Sequence, residues 1–176
     1  AAYQKHALWI LRNEPLAPLS RPFLQLHHDL DKGAYEQARA IWLELLETCP
    51  EDTAVLDRAA GFFLRQDSEL AQELLEKAQA LEPRNPEWPH QLGHIHWLAY
   101  WTAVHSRMKS ERAESARRAL VCFEAAHDLL DETEERFYGL ENLAQMALEA
   151  GESDKARRYA EAFLRDAVGR EADDFY

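Results

Sequence analysis

The sequence predicts an all-α fold built from antiparallel helix pairs, and three observations support this prediction. Helix-favouring Ala, Leu, Glu, Gln and Arg dominate the 176 residues, whereas Gly (6) and Pro (7) are few. No segment shows the alternation of polar and apolar residues that is typical of a half-buried strand. Ala38 and Ala71 lie 33 positions apart, as do Pro50 and Pro83. A repeated unit of two helices accounts for all three observations.

The N-terminal part of the chain predicts one single helix and one complete pair. Residues 3–13 have helical spacing of apolar side chains and stop before Pro15, which is typical of the second half of a hairpin. We therefore expect residues 1–18 to cap a repeat array or to belong to a longer one. A further helix is predicted from Arg21 to about Lys32, with Gly33 as its C-terminal cap, and the next covers residues 34–48.

The second pair repeats this arrangement. Asp52 is expected to cap its first helix, and residues 69–81 form the return helix. Asn85 then begins the third pair, with Pro86 at the first helical position, where a missing N–H has no cost. Gly93 lies inside that helix, where an interior Gly costs roughly 1 kcal/mol against Ala. We interpret it as a point where another backbone comes close.

Matched positions in the helix pairs carry a family resemblance. An Ala stands at the same place in the second helix of each pair, and a bulky residue follows four positions later in the first three pairs. These residues are Ala38, Ala71, Ala119 and Ala156, then Trp42, Leu75 and Phe123. The pattern resembles the tetratricopeptide repeat (TPR), a helix-turn-helix unit of about 34 residues. The chain departs from it at Leu26, where a small residue is usual, and in lacking a closing Pro in the last two pairs.

The resemblance implies a right-handed superhelix of four TPR-like repeats. They cover about residues 19–51, 52–84, 85–131 and 132–168. An acidic tail follows, residues 169–176, which we expect either to be frayed or to dock on the last helix through Phe175 and Tyr176. In the third repeat 26 positions separate Gly93 from Ala119, against 12 between Ala59 and Ala71. The surplus of 14 residues is close to four helical turns, which predicts an overlong hairpin with helices over residues 87–107 and 111–130. A disordered insertion is the alternative. The last pair is predicted over residues 137–150 and 153–168.

The resemblance also implies a binding groove. In this family the first helices of the pairs line a concave surface that holds peptides or protein partners. Carried over by position, the partner-binding residues are His27, Phe63, His90, His94, Trp97, Trp101, Glu141 and Gln145. Such a lining suits a peptide with apolar and polar side chains. The alternative is that the aromatic rings fill the core of the superhelix.

His90 and His94 have the i, i+4 spacing of paired metal ligands on a helix. No H-E-x-x-H motif surrounds them and no third ligand is evident, so we expect neither a metal nor another cofactor. Phosphate-binding glycine loops and the G-x-S-x-G motif are also absent. A non-enzymatic scaffold for a protein or peptide is therefore the first hypothesis. A metal-dependent enzyme site at these histidines and a self-association module are the alternatives.

Charge and composition limit the classes of partner that we expect. The formal net charge of -12 favours a basic partner and argues against nucleic acid, because phosphate neutralisation needs clustered Lys and Arg. Residues 128–154 contain nine acidic residues, and Arg136 is their single basic residue. No segment approaches the roughly 18 apolar residues of a membrane span, and no signal peptide is visible. A cytoplasmic location is favoured over a periplasmic or secreted one, and a homo-oligomer or a longer repeat array stays open.

Overall fold

The computed structural model describes residues 2–16, 31–130 and 139–173, and within those ranges it contains eight helices and no strand. The helices are α1 (Ala2–Asn13), α2 (Lys32–Thr48), α3 (Thr53–Phe63), α4 (Ser68–Leu81), α5 (Glu87–His105), α6 (Lys109–Leu129), α7 (Leu140–Glu149) and α8 (Ser153–Asp173). The chain divides into two compact units, Ala1–Pro83 and Arg84–Tyr176. No helix of the described ranges is long and apolar enough to cross a lipid bilayer. The predicted all-α fold of helix pairs is confirmed.

Aspartate side chains begin three helices of the first unit. Asp31 accepts a hydrogen bond from the backbone N–H of Ala34 at 3.0 Å. Asp52 and Asp67 cap α3 and α4 in the same way. These bonds satisfy N–H groups that have no partner within the helix, and each cap contributes about 1 kcal/mol.

The start of α2 differs from the sequence prediction. Gly33 is the second residue of α2 and does not cap a preceding helix. The hydrogen bond from Asp31 explains the difference, because a bonded N-cap stabilises a helix start by about as much as one Gly in the first turn costs. The helix predicted over residues 21–32 falls mostly on residues 17–30, which lie outside the described residues.

Aromatic side chains fill the core of the first unit. In this unit α1 packs against α2, α2 against α3, and α3 against α4. Trp42, Leu56 and Phe63 are fully buried. The ring of Phe62 stacks on Tyr35 at 5.1 Å and contacts Phe63 edge-on at 5.1 Å. The rings of α3 therefore face inward.

The second unit is built on the long hairpin of α5 and α6. The two helices have 19 and 21 residues and pack against each other. Arg107 turns the chain between them with a positive φ of 59°, and the Met108 N–H donates to the Ala103 carbonyl at 2.9 Å. The predicted overlong helices are confirmed. The surplus residues extend α5 and α6 and do not form a disordered insertion.

The four matched alanines lie at contacts between helices. Ala38, Ala71 and Ala119 are fully buried, and Ala156 is only 9% exposed. Because Ala is the smallest side chain that keeps high helix propensity, it lets neighbouring helices approach closely without loss of helix stability. These positions carry the same packing role in both units.

The neighbour of Gly93 is a ring and not the backbone that the sequence predicts. A Cβ atom built at Gly93 would lie 2.5 Å from two carbon atoms of the Phe123 ring. Real Cβ contacts essentially never fall below 3.0 Å. The Phe123 side chain of α6 therefore packs directly on the backbone of α5.

Two polar contacts fasten α6 to the last pair. The Arg112 guanidinium donates two hydrogen bonds to the Glu149 carboxylate, the one from Nε at 2.7 Å, and lies over the Tyr100 ring at 5.7 Å. The Glu124 carboxylate accepts hydrogen bonds from the Tyr159 hydroxyl at 2.7 Å and from Lys155 at 3.1 Å. Burial and the bond to Glu124 raise the pKa of Tyr159 well above its ordinary value.

The last helix is longer than predicted. α8 continues to Asp173 instead of ending near Val168, so most of the tail predicted to be frayed is helical. A single interior Gly, Gly169, costs only about 1 kcal/mol in a helix, and Glu171 is a good helix former. Residues 174–176 lie outside the described residues.

Candidate functional site

One face of α5 carries a continuous row of ring side chains. His90, His94, Trp97, Trp101 and His105 recur every three or four residues, which places them on one side of a helix. Successive ring centroids lie 4.7, 6.0, 5.9 and 6.1 Å apart. We name these five residues the α5 ring row. It brings together four of the residues that the sequence predicts as partner-binding.

Phe123 of α6 supports the first part of the row. Its ring centroid lies 5.7 Å from that of His90 and 5.6 Å from that of His94. Burial lowers the pKa of His94, and His90 lowers it further while Glu87 acts in the opposite direction. His94 is therefore neutral at pH 7, and its imidazole has one hydrogen-bond donor and one acceptor.

The two tryptophans of the row have indole N–H groups without an acceptor. The Nε1 atoms of Trp97 and Trp101 are buried, and within the described part of the chain neither donates a hydrogen bond. Both rings are half-buried and pack against the core of the second unit. Unsatisfied buried donors are uncommon and cost about 1–3 kcal/mol each. The row thus combines partly exposed ring surface with two unmet donors.

A pocket of about 280 Å³ opens at the N-terminal end of the row. It is lined by Pro86, Glu87, His90, Phe123, Ala126, His127, Leu130, Gly139 and Leu143. His90 belongs to both the pocket and the α5 ring row. The row and the pocket therefore form one continuous surface within the second unit.

The other predicted groove residues are not part of the α5 ring row. Phe63 is fully buried in the first unit, so its ring is a core residue that a partner cannot reach. Glu141 is exposed and Gln145 is half-buried on α7. In the described ranges α7 packs against α6 and α8 and not against α5. His27 lies outside the described residues.

Two histidines of this surface are absent from the sequence prediction. His105 is exposed, and its Nδ1 lies 2.6 Å from the Trp101 carbonyl oxygen. Its spacing of four residues from Trp101 is a signal that could have identified it. His127 lines the pocket, and nothing local in the sequence indicates this, because its position depends on how α6 packs against the start of α5.

The histidine pair is not part of a larger set of ligands. Among residues 5–16, 31–130 and 139–165, no group of three or more His, Cys, Asp or Glu side chains is placed to hold a metal ion. The alternative of a metal-dependent site at His90 and His94 gains no support from these residues.

Comparison with known proteins informs the fold. No family model matches the chain, and no curated protein matches it in sequence. A solved structure of a monomeric mutant of IFIT1 with Gppp-AAAA is similar to it, with a TM-score of 0.59 and 21% sequence identity. The chain has a TPR-like fold. The similarity covers 92% of this chain and 40% of that protein, so the chain spans less than half of its length.

The same comparison corrects one sequence prediction. The prediction that excluded a nucleic-acid partner is wrong. The IFIT1 structure, which has a similar fold, contains Gppp-AAAA, a nucleic-acid ligand. Net charge is a sum over the whole surface, whereas a nucleic acid contacts only part of it. A net charge of -12 therefore does not exclude this class of ligand.

Proposed function

We propose that this chain is a helical-repeat binding module whose α5 ring row holds a protein or peptide partner. The observation that carries the proposal is the contact of five rings on one helix face, two of them with indole N–H groups that lack an acceptor. A peptide has the complementary groups, because its apolar side chains pack on rings and its backbone carbonyls accept hydrogen bonds. The TPR-like fold supports a scaffold role.

Binding at this row involves movement of side chains. His105 is exposed and the other four rings are half-buried, so a partner reaches part of each ring directly. The Nε1 atoms of Trp97 and Trp101 are covered, and an acceptor reaches them only when the rings rotate. Side-chain rearrangement of this kind is common at interfaces whose backbone stays in place.

The test removes the two donors and keeps an aromatic ring at each position. Peptides are selected from a random library on the wild-type protein, and their affinity for the Trp97→Phe/Trp101→Phe variant is measured by fluorescence anisotropy. Each lost hydrogen bond removes about 0.5–1.5 kcal/mol, so the loss of two should weaken binding by about 5- to 150-fold. Replacement by Ala is less informative, because Trp97 and Trp101 also pack against the core.

Trp42→Phe is the matched control. The Nε1 of Trp42 also lacks an acceptor within the described chain, but this side chain is fully buried in the first unit. We expect this variant to bind the selected peptides as the wild type does. Equal affinity of the wild type and the Trp97→Phe/Trp101→Phe variant would contradict the proposal.

A nucleic acid is the second candidate ligand. Bases stack on Trp and His rings, and the IFIT1 structure contains Gppp-AAAA. The net charge of -12 opposes phosphate binding, which makes this the weaker candidate. A fluorescein-labelled oligoadenylate, titrated beside the peptides at low and at moderate salt, separates the two. Tighter binding of the oligonucleotide than of every selected peptide would replace the first candidate by the second.

A further inference from the structure

The pocket at the N-terminal end of the row differs in chemistry from the row itself. Its floor is apolar and is formed by Phe123, Ala126, Leu130 and Leu143. Sites for drug-sized ligands have volumes of about 300–1,000 Å³. At about 280 Å³ this pocket is sized for one large side chain or one ring.

Two carboxylates lie at this pocket and form its acidic rim. Glu87 lines it and is exposed, and the exposed Asp128 follows the lining residue His127. None of the nine described lining residues is Lys or Arg. A cationic group beside the pocket therefore meets negative charge.

We propose that this pocket receives an apolar side chain of the partner peptide and that the acidic rim selects a Lys or Arg next to that side chain. The inference rests on the proposed function, since the pocket shares His90 with the α5 ring row. It assigns the partner to one chemical class, basic peptides with an apolar residue beside the basic one. Charge complementarity and continuity with the row support this occupant.

Two small probes test the pocket without the rest of the peptide. Phenethylamine and 3-phenylpropionate carry the same ring on a short chain that ends in opposite charges. Each is titrated into the full 15N-labelled chain, and backbone amide shifts give the affinity and the place of binding. We expect shifts at the lining residues and about two- to fivefold tighter binding of the amine, the range of a partly screened charge pair.

Two variants and one control assign the effect. Glu87→Gln should reduce the preference for the amine to less than twofold and leave the affinity for 3-phenylpropionate unchanged or higher. Ala126→Leu fills the floor and should abolish binding of both probes. Glu111→Gln removes an exposed carboxylate in the first turn of α6, away from the pocket, and should change neither affinity. If Ala126→Leu does not fold, the Glu87→Gln comparison decides.

Equal affinity for the two probes, or shifts that map outside the lining residues, would overturn the inference. If that happens while peptide binding still depends on Trp97 and Trp101, the proposed function stands and only the pocket assignment fails. If the probes behave as expected but peptides ignore both tryptophans, the proposed role of the row fails instead. The two failures are therefore distinguishable.

A second copy of the chain is the competing occupant. The turn between α5 and α6 presents Met108, 47% exposed, between the exposed Arg107 and Lys109. This turn has the basic and apolar character that the pocket is proposed to select. Sedimentation that shows concentration-dependent self-association, abolished by Met108→Glu, would assign the pocket to a second copy and overturn the proposal. A monomer at high micromolar concentration supports a separate peptide.

Discussion

The interior glycines of α3 and α5 show how two similar helices acquire different roles. A Cβ atom at Gly61 of α3 would have no neighbour within 4 Å, whereas one at Gly93 of α5 would collide with the Phe123 ring. The rings of α3 are buried in its own unit, but His90 and His94 contact Phe123 and stay partly exposed. The Phe123 ring of α6 thus packs against the backbone of α5 at Gly93, and the α5 ring row lies partly exposed at the surface.

Gly93→Ala tests this contrast with the largest expected effect. The new Cβ forces the Phe123 ring to move, and such overpacking costs about 1–3 kcal/mol. The higher helix propensity of Ala returns up to about 1 kcal/mol. We expect the free energy of unfolding, measured by urea denaturation, to fall by about 1–2 kcal/mol.

Gly61→Ala is the matched control, because it makes the same chemical change where space is open. Only the propensity gain remains, so the free energy of unfolding should rise by up to about 1 kcal/mol. Opposite signs for the two variants support the comparison. A gain of stability in both would show that Phe123 yields easily and that Gly93 is not a packing requirement.

The pH dependence of stability gives the smallest effect. Because the pKa of His94 is lowered in the folded state, the unfolded chain binds this proton more readily. The free energy of unfolding should therefore fall as the pH drops from about 6.5, the ordinary pKa of His, through the lower folded value. His94→Gln should remove this part of the loss, and His105→Gln, a change at an exposed His of the same helix, should keep it. Identical pH dependence of the wild type and His94→Gln would contradict the role of burial at His94.

Local and periodic signals predicted most of the fold. The alanine positions identify helix contacts because any larger side chain there would separate the helices, and all four are buried. The surplus between Gly93 and Ala119 predicts long helices because it is close to a whole number of turns. Gly93 indicated a close approach but not its partner, since the ring of Phe123 arrives from another helix. Likewise, the start of α2 depends on the Asp31 side chain and not on Gly33 alone.

The site was predictable only where it is local. Four rings of α5 share a face because of helical spacing, which the sequence contains. Whether a ring is covered depends on neighbouring helices, and for this reason Phe63 is buried although its position in its helix pair suggested exposure. The pocket joins residues of α5, α6 and the start of α7, so it has no signature in one segment. The exclusion of nucleic acid was wrong because the net charge does not say where on the surface the charges lie.

The most direct test of the α5 ring row is the indole N–H region of the NMR spectrum of the full chain, recorded with and without a selected peptide. The signals of Trp42, Trp97 and Trp101 are assigned from single Trp→Phe variants. We predict that the peptide shifts the Nε1–H signals of Trp97 and Trp101, because both donors gain an acceptor, and leaves that of Trp42 in place. A bound peptide that shifts Trp42 alone, or none of the three signals, would contradict the row as the binding surface.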